Sequence, residues 1–202
     1  MNCRKDTPQC EEKHRRDGFL IVNQCCHEKL VEILQDVVLV FKRNKVDFWL
    51  DYGTLLGYTR EGKRIPHDID IDLCAFEKDK ELIEKALIEL VLHKKYVIQK
   101  DEFNNTGLQV YYSEVNKLHL DVFFWHENGD KMEKSFYLND RKGKGFPKEW
   151  LTPLVEAKFE GVEVFVPKEK EKLCEHRYGK EWRTPMSIFS FNKLIDEKNN
   201  KK

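Results

Sequence analysis

The chain has no long apolar run. Across its 202 residues the longest uninterrupted stretch is five, VVLVF at 37–41, against the ~20 that a membrane-spanning helix needs. Its opening, MNCRKDTPQCEEKHRRDGF, has no apolar centre of the kind a secretory signal requires, so the chain reads as soluble. An excess charge of either sign is also lacking. The 36 basic and 36 acidic residues cancel to a formal charge of zero, which leaves no net field to gather nucleic acid or an anionic membrane. Internal repeats and low-complexity tracts are missing. Aromatic residues, by contrast, are plentiful. Thirteen Phe, seven Tyr and four Trp within a 40% hydrophobic chain supply a core, and a wholly disordered chain is excluded. The length fits one domain with a small appendage.

Hydrophobic spacing divides the chain into elements. Leu30, Leu34, Val37, Val38 and Phe41 recur at helical intervals and predict a helix over about 27–45. VDFWLDYG reads as a strand that ends at a glycine, and a short helix follows from Gly53 and Thr54 to Gly62. DIDIDLCAF alternates strictly, with Asp68, Asp70 and Asp72 on one face and Ile69, Ile71 and Leu73 on the other. A second amphipathic helix covers about 78–93. Strands are expected at YVIQKDEF, LQVYYSE and LHLDVFFWH, then a hairpin strand at 158–166 and a last helix at 168–178. The class is α+β, a mixed sheet with helices on one side.

Chemistry concentrates in FWLDYGTLLGYTREGKRIPHDIDID, residues 48–72. Strand rise puts the Cβ atoms of Asp70 and Asp72 on one face about 7 Å apart. Carboxylates so close repel unless a cation lies between them, and hard oxygen donors suit Mg²⁺ or Mn²⁺. Asp121, in LHLDVFFW, offers a third carboxylate and shares its face with His119 and Phe123. Gly53 and Thr54 lie at a strand-to-helix junction, where backbone N–H groups can receive phosphate. The plainer alternatives are a solvent-facing acidic strand and an ordinary tight turn.

These residues in this order resemble the LicD/fukutin family. Its motif runs from a Gly–Ser or Gly–Thr turn through LLG, an Arg, a Gly and I-P-W-D to D-x-D. LQVYYSEVNKLHLDVFFWHENG, FPKEWLTPLVEAKFEGVEVFVP and RYGKEW also resemble family segments, so the likeness spans about residues 45–185. It implies a nucleotidyltransferase fold of the DNA polymerase β type. The implied activity is transfer of a phospho-alcohol (ribitol phosphate, glycerol phosphate or phosphocholine) from a CDP-activated donor to a glycan hydroxyl, with release of CMP. Asp70, Asp72 and Asp121 become the metal carboxylates, with Asp121 as general base. Asp68 becomes a flanking acid, Gly53 and Thr54 hold donor phosphates, and Arg60 neutralises phosphate charge. Two positions depart from the family: His67 stands where Trp is usual, and Tyr52 where Gly is common. Both lie where donor choice is set, although His67 also suits the surface.

Lys63 and Arg64 read as solvated loop charges, and Arg141, Lys142 and Lys144 as an exposed basic loop. His119 either orients Asp121, touches substrate or packs in its strand. Cys74 and Cys174 read as buried apolar residues. Cys3, Cys10, Cys25 and Cys26 bring four thiols within 24 residues, enough to close a tetrahedral Zn²⁺ site; His14 or His27 could replace one of them, and reduced thiols in a flexible arm are the alternative. The resemblance favours zinc, since family members place a spaced pair and then adjacent zinc-binding cysteines before the same long helix. The expected organisation is a zinc-binding segment at 1–26, a catalytic domain at 27–190 and a charged tail at 191–202. The compartment is cytoplasmic for a microbial or viral chain and the Golgi lumen for part of an animal enzyme. Two other readings use the same residues: nucleotidyl transfer to a small molecule, and a catalytically silent glycan-binding module.

Overall fold

A computed structural model describes residues 3–10, 14–16, 19–100, 107–134 and 145–185. The basic loop at 141–144 and the tail at 191–202 lie outside the described residues. Two short strands, β1 (His14–Arg16) and β2 (Phe19–Ile21), lead into helix α1 (Gln24–Arg43). Then come β3 (Phe48–Leu50), α2 (Tyr52–Glu61), β4 (Asp70–Phe76) and α3 (Lys80–Lys94). Strands β5 (Val97–Lys100), β6 (Gly107–Tyr111), β7 (His119–Asn128) and β8 (Lys131–Lys134) follow. The remainder is β9 (Phe146–Pro147), α4 (Lys148–Leu151), the hairpin β10 (Val155–Phe159) and β11 (Val162–Val166), and α5 (Lys170–Tyr178).

The main sheet runs β3-β4-β7-β6-β5, with β8 and β9 continuing from the far half of β7. Only β4 and β7 are parallel; β3 with β4, β7 with β6 and β6 with β5 are antiparallel. The sheet is therefore mixed, as the alternation suggested. Ile71, Leu73 and Ala75 on β4 and Leu120, Val122 and Phe124 on β7 are buried on one face. α1 covers that face with Leu30, Ile33, Leu34, Val37, Val38 and Phe41. Each such side chain contributes on the order of 1.5–3 kcal/mol through burial. Phe41 meets Phe48 edge-on at 5.7 Å.

The opposite face carries Asp72 and Cys74, and α2 and α5 close over part of it. Helices thus flank the sheet on both sides, not on one. The reason is Asp51, at the end of β3. Its buried carboxylate accepts the Tyr52 backbone N–H at 2.7 Å and the Trp49 indole at 3.3 Å, and it pairs with Arg177 of α5 at 2.6 Å. Burial alone would lower the Arg177 pKa, but the Asp51 charge outweighs it and the net direction is upward. The same pair roots the start of α2, which opens one residue before the expected glycine and stops at Gly62, whose φ of 70° is the left-handed close that glycine permits.

Candidate active site

Pairing across β4, β7 and β6 arranges the polar face in rows. Asp72 lies opposite Asp121, and Asp121 opposite Gln109. One row nearer the strand starts, Asp70 lies opposite His119, and His119 opposite Tyr111. Asp70, Asp72 and Asp121, the three acids expected from the sequence, are thus brought together by adjacent parallel strands. Asp72 and Asp121 are buried and Asp70 is half-buried.

The first turn of α2 stands over this row. The Thr54 backbone N–H donates to Asp72 Oδ2 at 3.3 Å, and the Thr54 hydroxyl accepts the Asp72 backbone N–H at 2.8 Å. Gly53 needs its missing side chain: an added Cβ would lie 3.0 Å from Asp68 Oδ2 and 3.5 Å from Asp72 Oδ2. The helix dipole at this turn favours negative charge. Asp68 precedes β4 rather than lying in it, yet its carboxylate returns to Gly53. His67 Nε2 is 4.0 Å from Asp68 Oδ1 at the partly exposed rim. Burial, followed by Asp70, Asp121 and Asp68, pushes the Asp72 carboxyl well above the usual carboxylate range. A divalent cation would reverse that, so this donor set fits a hard metal ion.

Arg60 is not drawn into this group. It rides in the last turn of α2, about 12 Å along the axis from Tyr52, and pairs with Glu61 at 3.4 Å. Arg64, expected in solvent, is buried. Its guanidinium donates to the Asp68 carbonyl, and its backbone N–H donates to Glu160 Oε1 at 2.8 Å. Burial lowers its pKa against the pull of Asp68, Glu160 and Asp70. Arg64 therefore fixes the approach to the aspartates. His119 Nε2 lies 3.7 Å from Asp121 Oδ2, and Gln109 Nε2 donates to Asp121 Oδ1 at 3.0 Å. Sequence reasoning gave Asp51, Gln109, Tyr111 and Arg177 no role. A charged Asp closing the apolar FWLD strand was the available sign for the first; the others depend on register. Trp125 and Trp182 are core residues.

The four N-terminal thiols converge. Their Sγ atoms lie within 4.8 Å of one another, at 3.0 Å for Cys3–Cys26, 3.5 Å for Cys3–Cys10 and 3.2 Å for Cys10–Cys25. No pair is bonded. Thiolates around zinc at about 2.3 Å sit roughly 3.8 Å apart, close to this spacing. Cys10 is pushed up to about 11, first by its hydrogen bond with Cys25 and then by burial; a dication would offset such crowding. His27 belongs elsewhere, 3.2 Å from Glu160, and the His14 side chain lies outside what is described. Cys74 and Cys174 are buried, as expected. No helix among the described residues is long and apolar enough to cross a membrane.

Residues 45–169 match the family described as LicD/FKTN/FKRP, nucleotidyltransferase domain. The human ribitol 5-phosphate transferase FKRP is 31% identical over 188 residues, covering 89% of this chain and 38% of that protein. The mouse ribitol-5-phosphate transferase FKTN is 33% identical over 164 residues, covering 79% of this chain and 34% of that protein. The chain thus spans little more than a third of these relatives' length. Among solved structures, the lincosamide antibiotic adenylyltransferase LnuA superposes with a TM-score of 0.48 at 16% identity, over 87% of this chain and 98% of that one.

Proposed function

Because this chain belongs to the LicD/FKTN/FKRP nucleotidyltransferase-domain family, we propose that it is an enzyme moving a phospho-alcohol from a CDP-activated donor to a glycan hydroxyl, with release of CMP. One observation carries the reading. Asp70, Asp72 and Asp121 gather on two parallel strands beneath the N-terminus of α2, in a chain whose relatives are named ribitol-phosphate transferases.

Asp70, Asp72 and Asp121 would hold Mg²⁺ or Mn²⁺, which when bound offsets phosphate charge and lowers the pKa of a coordinated hydroxyl. The first turn of α2 at Gly53 and Thr54, whose helix dipole favours anions, would receive donor phosphate. Asp121, with one oxygen held by Gln109, takes the acceptor proton. His67 and Asp68 line the rim and read the transferred alcohol. The clustered Cys3, Cys10, Cys25 and Cys26 would hold a structural Zn²⁺. That segment is tied to the domain: Ser113 Oγ donates to the Lys5 carbonyl at 2.7 Å, and Asn116 Nδ2 to the Arg4 carbonyl at 3.2 Å.

The test incubates the chain with CDP-ribitol, CDP-glycerol or CDP-choline, Mg²⁺ or Mn²⁺ and a glycan acceptor. Acceptor-dependent CMP supports the reading. Pyrophosphate from a nucleoside triphosphate supports nucleotidyl transfer instead, and silence with every donor and acceptor supports a binding module. His67→Trp should reorder the three donors while leaving CMP binding unchanged; an unchanged order removes His67 from the donor site.

A further inference from the structure

We propose that Phe123, backed by Tyr52 and flanked by Lys134, forms the subsite that stacks the donor's pyrimidine base, with the Lys134 ammonium selecting cytosine over uracil. This rests on the nucleotide-donor reading above. The aspartates and the first turn of α2 meet only phosphate, which every nucleotide shares, so the base must be read by other side chains.

The subsite borders the phosphate end on two elements. Tyr52 directly precedes Gly53 and Thr54 at the start of α2. Phe123 lies two residues along β7 from Asp121, on the same face and about 7 Å further on, a span of the kind a ribose sets between phosphate and base. The two rings meet at 4.8 Å with their planes at 62°. Tyr52 is buried, whereas Phe123 is half-buried. Lys134, also half-buried, stands on β8 opposite Trp125. Its Nζ lies over both rings, 4.8 Å from the Phe123 centroid and 5.4 Å from that of Tyr52.

Two backbone features accompany the rings. Tyr52 has a φ of 46°, a left-handed conformation that favours glycine and costs energy for a bulky side chain. Glycine, common at this position in the family motif, would avoid that strain; here it is borne to hold a ring beside the phosphate turn. Gly107 faces Phe123 across the β6–β7 pair. An added Cβ there would lie 3.4 Å from Phe123 Cδ1, so the ring lies against bare backbone.

The chemistry divides between platform and edge. Every base has a π-face, so an aromatic ring takes any of them, and selection needs polar atoms. A lysine ammonium carries three donors and no acceptor. Cytosine offers it neighbouring acceptors at O2 and N3, whereas in uracil N3 bears a hydrogen and the match is lost. The ammonium over Phe123 is held by cation–π attraction, which marks a ring face that a ligand can reach. A base stacking there takes the ring and draws the ammonium to its own edge.

The test titrates the full chain in Mg²⁺ with CMP, UMP and inorganic pyrophosphate by calorimetry. The unsubstituted chain should bind CMP at least ~10-fold tighter than UMP. Phe123→Leu, which keeps apolar bulk, should weaken CMP at least ~10-fold and leave pyrophosphate within ~2-fold. Lys134→Met should bring CMP and UMP within ~2-fold of each other; both carry the same phosphate, so the lost charge cancels in the ratio. Nuclear Overhauser contacts from cytosine H5 and H6 should reach the Phe123 ring in the unsubstituted chain, a readout that needs no variant to fold. Equal affinity for CMP and UMP, or undiminished CMP binding by folded Phe123→Leu, overturns the proposal, while pyrophosphate binding leaves the phosphate site standing. A CMP preference that survives in Lys134→Met overturns the role given to Lys134. Failure of all three ligands to bind the unsubstituted chain sinks the donor reading and this proposal together.

Discussion

Neutralising one end of the Asp51–Arg177 pair should be among the most damaging single changes away from the reacting groups. Both side chains are almost fully excluded from water, at 0% and 1% exposure, with a 2.6 Å contact. Asp51→Asn keeps an oxygen for the Tyr52 N–H and so spares the cap, but strands the Arg177 charge among Tyr52, Trp125 and Phe146, whose ring centroids lie 4.5, 5.1 and 5.6 Å away. Arg177→Met strands the Asp51 charge instead. An uncompensated buried charge costs about 3–5 kcal/mol. At about 2–4 °C per kcal/mol for a chain of this length, each single variant should melt on the order of 10 °C lower. The double variant restores neutrality, so it should melt well above the additive expectation, by a coupling of at least ~2 kcal/mol. Circular dichroism melts and urea titrations of the four proteins measure this. Losses below ~1 kcal/mol in both singles, or strict additivity in the double, would refute the reasoning.

Other consequences can be checked in the same way. Asp70→Asn or Asp121→Asn should cut turnover at least ~100-fold with normal melting, because an amide cannot offset cationic charge; near-normal CMP release by either would remove it from the site. Asp72→Asn concerns pH: its folded pKa is raised, so the native state holds a proton that the unfolded state has released, and stability falls as pH rises from the unfolded value towards the folded one. In Mg²⁺-free buffer this variant should therefore gain melting temperature over the parent as pH goes from 5 to 8, and a gap that shrinks with pH would count against the assignment. Elemental analysis should find about one Zn²⁺ per chain, lost in Cys25→Ser/Cys26→Ser; a fully stable zinc-free preparation would dismiss that site. Gly107→Ala would put a Cβ 2.4 Å from the Val122 carbonyl oxygen, whereas Gly62→Ala meets nothing within 4 Å. The first should cost roughly 3 kcal/mol in urea unfolding and the second about 1, and a reversed order would contradict the β6–β7 pairing.

Much of this was legible because polar and apolar residues alternate with period two. DIDIDL and HLDVFF each declare a strand with acids on one face, and Gly62 declares a helix stop. Residues 24–26 were missed at the start of α1 because Asn23 makes no side-chain cap there, so the local signal is weak. Register is a different matter. That Asp121 faces Asp72 and Gln109, or that the Asp72 oxygen turns to Thr54, follows from how separate strands slide into pairing, and no single strand carries that information. Arg64 misled for a related reason: a cation in a charged loop looks solvated until the Glu160 hairpin tip and the Asp68 carbonyl close around it.

The strand order has a consequence for assembly. β7 does not add to an open edge; it inserts between the β5–β6 hairpin, its neighbour in the chain, and β4, which lies far from it in sequence. Such non-local closure comes late and slowly in folding. The carboxylates meet in that same step, since Asp72 reaches Asp121 only when β7 docks on β4. Docking β7 on β4 therefore gathers three carboxylates, which costs free energy whether they repel or take up a proton. The divalent ion proposed for this site would act on that cost as well as on the finished protein, so Mg²⁺ or Mn²⁺ in the refolding buffer should speed the return of native structure.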